Sequence, residues 1–195
     1  METTDWLPCI VTMFDLIGTR RDAASGKASS AMRLLQDRAV AKMNYGMENH
    51  SYCYVWNDSV LMLSYEAGPA NARRRVLAEL DECKQWLERE CGGKLYAICV
   101  KGIAFPQDGT LSPVCSGQVA NQPRTVILKT SSWAMANCFE IEKALKHHRA
   151  DWYVDSRVAD DVDLRKPFSQ QEVPMLPKKE ARRIDMFRGT LFRQS

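Results

Sequence analysis

Two acids, one closing an apolar run and one interrupting another, set the strongest limit on how this chain can fold. Asp15 follows the run Cys9-Ile10-Val11-Thr12-Met13-Phe14. Asp58 sits in a tight break within Tyr54-Val55-Trp56-Asn57-Asp58-Ser59-Val60-Leu61. A carboxylate at the end of a buried strand is costly unless something pairs with it. Two such groups on neighbouring strands repel each other unless a cation lies between them. A divalent metal meets both needs, and hard oxygen ligands suit Mg²⁺ or Mn²⁺.

The rest of the chain supplies elements that could bring those acids together. Residues 9–14 read as a strand and residues 20–28 as a mobile loop. A helix is predicted from Ser29 or Ser30, either of which can cap it, with Met32, Leu35, Ala39, Met43 and Met47 on one stripe. Tyr52–Trp56 and Val60–Tyr65 form a hairpin around Asn57-Asp58-Ser59. After Gly68-Pro69, Asn71 is expected to cap a second helix that ends at Cys91-Gly92-Gly93. Residues 94–105 read as a long central strand, with Gly102 where backbone must pass closely. A Pro/Gly/Ser-rich excursion over 106–125 precedes a helix over 131–147 and a strand over 151–155. Residues 160–183 read as irregular, and residues 184–192 as a last strand or helix. The order β-α-β-β-α-β-α-β predicts an α+β fold of the ferredoxin-like split βαβ type, an antiparallel-rich sheet covered by helices.

The chain has 195 residues, enough for one full-sized core. No apolar run is long enough to span a bilayer, and the polar, acidic start does not read as a signal peptide. Seven cysteines lie without metal-site spacing, so they read as reduced core and surface thiols of a cytoplasmic protein. Residues 165–195 carry eight Lys/Arg and three acids, net +5, which leaves −2 for the rest. We therefore divide the chain into a domain over 1–164 and a basic extension over 165–195 packed on or trailing it. With no aromatic platform among its cations, that extension reads as a solvated segment, with no stable nucleic-acid partner.

In order along the chain, Phe14-Asp15-Leu16-Ile17-Gly18-Thr19, the hairpin Asp58, Val100-Lys101-Gly102-Ile103-Ala104, the helix segment Ala136-Asn137-Cys138-Phe139-Glu140-Ile141-Glu142 and Tyr153-Val154-Asp155 resemble the class III nucleotide cyclase homology domain. The resemblance covers residues 8–158. It implies that Asp15 and Asp58, with the backbone carbonyl of Leu16, hold two metal ions, Mn²⁺ or Mg²⁺. It implies a homodimer with shared active sites and a nucleoside triphosphate cyclised with loss of pyrophosphate. The backbone around Ile17, Gly18 and Thr19, with Arg20, is then expected to bind phosphate. Arg21 and Lys27 are further cations near it.

The chain departs from purine cyclases where they read the base. Tyr54 stands where they carry a lysine and Lys129 near their second reader, an aspartate. Ala136 and Glu140 stand where the late helix has its asparagine and arginine, unless a shift restores Asn137. Arg20, Arg21, Arg124 and Asn137 all stay open as the group stabilising the transition state. The helix pattern Cys138-Phe139-Glu140-Ile141-Glu142-Lys143 resembles the stand-alone pyrimidine cyclases of bacterial antiphage defence, the Pycsar type. Those make cyclic UMP or cyclic CMP, which a separate effector protein senses. Tyr54 and Lys129 are then base-binding, and a lysine donor suits a uracil carbonyl better than the cytosine amino group, which favours UTP over CTP. The alternative is a catalytically degenerate cyclase-fold module that binds a nucleotide or docks a partner.

Overall fold

The computed structural model describes residues 7–19, 27–46, 52–65, 70–104, 132–145, 151–159, 171–173 and 191–194. Seven strands form one sheet: β1 (Leu7–Leu16), β2 (Tyr52–Trp56), β3 (Ser59–Tyr65), β4 (Leu95–Ala104), β5 (Trp152–Asp155), β6 (Gln171–Val173) and β7 (Leu191–Gln194). Their spatial order is β2-β3-β1-β4-β5-β7-β6. The helices are α1 (Lys27–Gly46), α2 (Ala70–Cys91), α3 (Trp133–Ala144) and the short α4 (Ser156–Ala159).

The first four strands pair antiparallel in the split βαβ order, with β1 between β3 and β4. The crossover through α3 makes β5 parallel to β4. Alternation along β1 separates two cores. Ile10, Phe14 and Leu16 face α1 and α2, meeting Leu35, Ala39, Leu80, Cys83 and Leu87. Cys9, Val11 and Met13 face the other way, with Ala134, Met135, Cys138 and Ile141 of α3. The odd-numbered Asp15 falls on this α3 face.

Gly102 is needed where α3 meets β4. A Cβ built there would lie 2.8 Å from the Ala134 Cβ and 3.1 Å from its backbone N and Cα. Ser132 caps α3, its Oγ accepting from the Met135 amide at 3.3 Å. On the far side, Asp155 is fully buried. It receives the Arg157 guanidinium, the Arg157 amide at 3.0 Å and the Lys101 amide at 3.3 Å. Arg157 also donates to the Lys101 carbonyl at 2.9 Å, so the pair locks β5 to β4.

The structure corrects several boundaries. Helix α1 begins at Lys27, ahead of both serines expected to cap it. Helix α2 begins at Ala70, so Asn71 lies in its first turn. Residues 171–173 form a strand within the segment read as irregular, and β7 begins at Leu191. Both are short strands with weak periodicity that gain order from pairing with a preformed edge. The six described cysteines are free and all buried, none on the surface. Burial pushes the Cys83 and Cys99 thiols up to about 12, which leaves them unreactive at neutral pH.

Candidate active site

The two acids meet at one end of the sheet. Asp15 is the register partner of Ser59 on β3 and of Tyr96 on β4. The turn between β2 and β3 consists of Asn57 and Asp58, with Trp56 paired to Ser59 across it. Asn57 takes a left-handed φ of 55°, a conformation that asparagine tolerates better than most residues. The Leu16 amide donates to the Asp58 carbonyl at 3.0 Å, which fastens the hairpin turn to the end of β1. Gln36 of α1 donates to the Asn57 carbonyl and holds the turn from the helical side.

Hydroxyl groups hold both carboxylates. Ser59 Oγ donates to Asp15 Oδ1 at 2.6 Å, and the Tyr96 hydroxyl donates to the same side chain. Thr19 Oγ1 donates to Asp58 Oδ2, and Asn57 Nδ2 donates to Asp58 Oδ1 at 3.1 Å. Burial raises Asp15 from 3.8 to about 6. The hydrogen bonds from Ser59 and Tyr96 oppose that rise, while the charges of Asp58 and Glu142 add to it. Among the described residues, the charges acting on Asp15 are thus both negative.

That electrostatic imbalance is what a bound cation would relieve, and the donor set is all oxygen. Among the described residues, no group of three or more His, Cys, Asp or Glu side chains is placed to hold an ion by itself. Two carboxylates and the Leu16 carbonyl nevertheless suit Mg²⁺ or Mn²⁺, which take few protein ligands and complete their shell with water and substrate phosphates. The residues therefore fit a divalent ion bound together with a phosphate substrate.

The other expected residues divide. The Ile17 amide donates to the Lys94 carbonyl at 2.8 Å, so it anchors the turn and does not face a phosphate. Gly18, at φ 93°, and Thr19 follow in the same turn and remain the phosphate-facing backbone candidates. Tyr54 lies on the α3 face, two residues before the turn, and is 9% exposed within the apolar cluster. Asn137 is buried, whereas its neighbour Ala136 is exposed. Arg20, Arg21, Arg124 and Lys129 lie outside the described residues, as does the side chain of Lys27.

Sequence reasoning missed three participants and one exposed neighbour. Ser59 and Tyr96 become visible only when the register sets them beside Asp15. Glu142 is brought to Asp15 by the docking of α3. Trp56 shares the face of Ser59, as its cross-strand partner, yet is 63% exposed. A tryptophan beside a hairpin turn was a legible signal that a surface needs covering.

The split βαβ sheet with helices on both faces has the fold of nucleotide cyclase domains. Solved structures of such domains match along nearly the whole chain. One is the guanylyl cyclase Cya2, with a TM-score of 0.54 and 10% identity, covering 98% of this chain and 92% of that one. Another is a bacterial light-regulated adenylyl cyclase, with a TM-score of 0.56 and 6% identity, covering 98% and 91%. A third is the guanylyl cyclase domain of the RhoGC fusion protein from the aquatic fungus Blastocladiella emersonii, solved as a monomeric double mutant. Its TM-score is 0.54 at 10% identity, covering 97% and 95%. No protein-family model and no curated protein matches the sequence. Among the described residues no helix is long and apolar enough to cross a membrane.

Proposed function

We propose that the chain is a nucleotide cyclase that converts a pyrimidine nucleoside triphosphate, UTP in preference to CTP, into its 3′,5′-cyclic monophosphate and pyrophosphate. The observation that carries this reading is the convergence of Asp15 and Asp58 at one sheet end, where the described charges that act on Asp15, those of Asp58 and Glu142, are negative. Asp15, Asp58 and the Leu16 carbonyl would hold Mn²⁺ or Mg²⁺. When bound, the ions would acidify the attacking ribose hydroxyl and offset the charge of the departing pyrophosphate. The chain's own groups orient that chemistry. The turn at Gly18 and Thr19 faces the triphosphate, and Arg20 adds charge beside it. Ser59 and Tyr96 fix the Asp15 carboxylate.

Pyrimidine preference is supported by the resemblance to the Pycsar cyclases, with Tyr54 and Lys129 as base-reading residues. Tyr54 narrows the wall where purine enzymes carry a lysine. In the same reading the enzyme is a cytoplasmic homodimer, and the basic stretch 165–195 contributes β6 and β7 to the sheet of the same domain. Its product would serve as a second messenger in antiphage defence, sensed by a separate effector.

One observation favours a second reading, a degenerate module that binds a nucleotide or docks a partner without turnover. At the late-helix positions expected to carry asparagine and arginine, Ala136 is exposed and Glu140 pairs with Lys143. Incubation of the purified protein with each of the four ribonucleoside triphosphates and Mn²⁺, followed by chromatography, separates the two. Cyclic UMP or cyclic CMP with pyrophosphate supports the enzyme. Metal-dependent nucleotide binding without product supports the module, and a cyclic purine product overturns the pyrimidine assignment.

A further inference from the structure

One hydroxyl donor of each acid comes from the segment that carries the other acid. Residues 15–19 leave β1, and residues 58–59 belong to the hairpin. Ser59 of the hairpin donates to Asp15 of β1, while Thr19, just past β1, donates to Asp58 of the hairpin. The Leu16–Asp58 backbone hydrogen bond lies between them. Each acid therefore takes one hydroxyl from the segment that carries the other one, alongside Tyr96 of β4 on Asp15 and Asn57 on Asp58. Thr19 is buried, so its hydroxyl is held in place by its surroundings.

We propose that Thr19 is a positioning residue of the metal site, acting through Asp58, and that Ser59 plays the reciprocal part for Asp15. This inference rests on the reading of Asp15 and Asp58 as metal ligands. An ionised carboxylate offers about four lone-pair directions. A hydroxyl that occupies one of them limits rotation of the group and so fixes which directions remain for a ligand. Hydrogen-bonded partners of this kind orient ligating carboxylates, and their loss weakens metal binding about ten- to a hundredfold. Thr19 also belongs to the turn that faces phosphate in the proposed reaction. Its side chain thus ties the metal-binding acid to that turn, a link that a backbone donor alone does not make.

The test is Mn²⁺ affinity of the full chain, read by electron paramagnetic resonance of the free ion, with circular dichroism and urea unfolding as checks on the fold. Thr19→Val keeps the shape and removes the hydroxyl, Thr19→Ser keeps the hydroxyl, and Asp58→Asn is the control. The expected result is a loss of about ten- to a hundredfold for Thr19→Val and Ser59→Ala, with Thr19→Ser close to the parent. If Thr19→Val binds Mn²⁺ as the parent does while Asp58→Asn does not, the positioning role is overturned and the metal reading stands. A folded Thr19→Ser that fails together with Thr19→Val also overturns it, because the hydroxyl is still present. If Asp58→Asn binds as the parent does, or the parent binds no Mn²⁺, both readings fall.

Discussion

Ser59 Oγ lies 2.6 Å from Asp15 Oδ1 because the two residues are register partners across the β3–β1 pair. A slip of one residue would turn Ser59 to the opposite face and leave Asp15 without this donor. The site therefore depends on strand register as much as on residue identity.

Replacing Asp15 or Asp58 by asparagine is expected to lower the proposed cyclase activity by at least about a hundredfold, since on that reading loss of a ligand exceeds loss of a ligand's support. The two variants should differ in stability. Asp15 is held ionised at neutral pH in surroundings that push it to about 6. A neutral amide there removes that cost and should raise metal-free stability by roughly 1–3 kcal/mol. Thermal unfolding in the presence of chelator checks this, and a destabilised Asp15→Asn would contradict it.

The same shift sets a pH dependence. The folded protein holds the Asp15 proton more tightly than the unfolded chain does, with values of about 6 and 3.8. Its contribution to stability is fully present below the lower value and is lost as pH rises through the upper one. Metal-free protein should therefore lose up to about 3 kcal/mol from this group between pH 4 and pH 7. Mn²⁺ affinity should move the other way, falling up to about tenfold per unit below pH 6 as protons compete. Urea unfolding and metal titration across that range read both trends.

Gly102→Ala should destabilise the protein by about 1–3 kcal/mol, because the added Cβ meets the Ala134 backbone and not a flexible side chain. Valine at the same position should cost more. Displacement of α3 would also move Glu142, so Mn²⁺ affinity should change along with the urea midpoint.

Arg157→Met should cost about 3–5 kcal/mol, since it leaves the fully buried Asp155 without its cation. Asp155→Asn keeps an acceptor for only one of the Lys101 and Arg157 amides, but it leaves no buried charge without a partner and should cost less. If the order of the two variants is reversed, the pair does not lock β5 to β4 as described.

Trp56 tests the proposed homodimer. Its indole is 63% exposed on the face that carries the acids. Dimerisation over that face should bury it and shift its fluorescence to the blue as protein concentration rises. The shift should be absent from Trp56→Phe. An emission spectrum independent of concentration, in protein shown by sedimentation to dimerise, would place the interface elsewhere.

Much of the fold is legible in local pattern. The apolar alternation of Cys9–Phe14, the break at Asn57-Asp58 and the long run over 94–105 each specify a strand within a few residues. Gly102 marks a close approach before its partner, Ala134, is known. Helix starts are less legible, because several residues near Ser29 and Asn71 are acceptable first-turn residues and packing selects among them. The short strands β6 and β7 carry too few residues for periodicity to register.

By itself, the sequence determined which residue types end the strands and that acids stand at two of those ends. It also determined the order of elements that makes their meeting possible. Only the tertiary structure decided that Ser59 and Tyr96 serve Asp15 and Thr19 serves Asp58. It also decided that Ile17 spends its amide on Lys94 and that Trp56 stays in solvent beside the acids. The physical reason is that hydrogen-bond partners and burial arise from register and helix docking between segments distant in the chain, and local propensity carries no information about either.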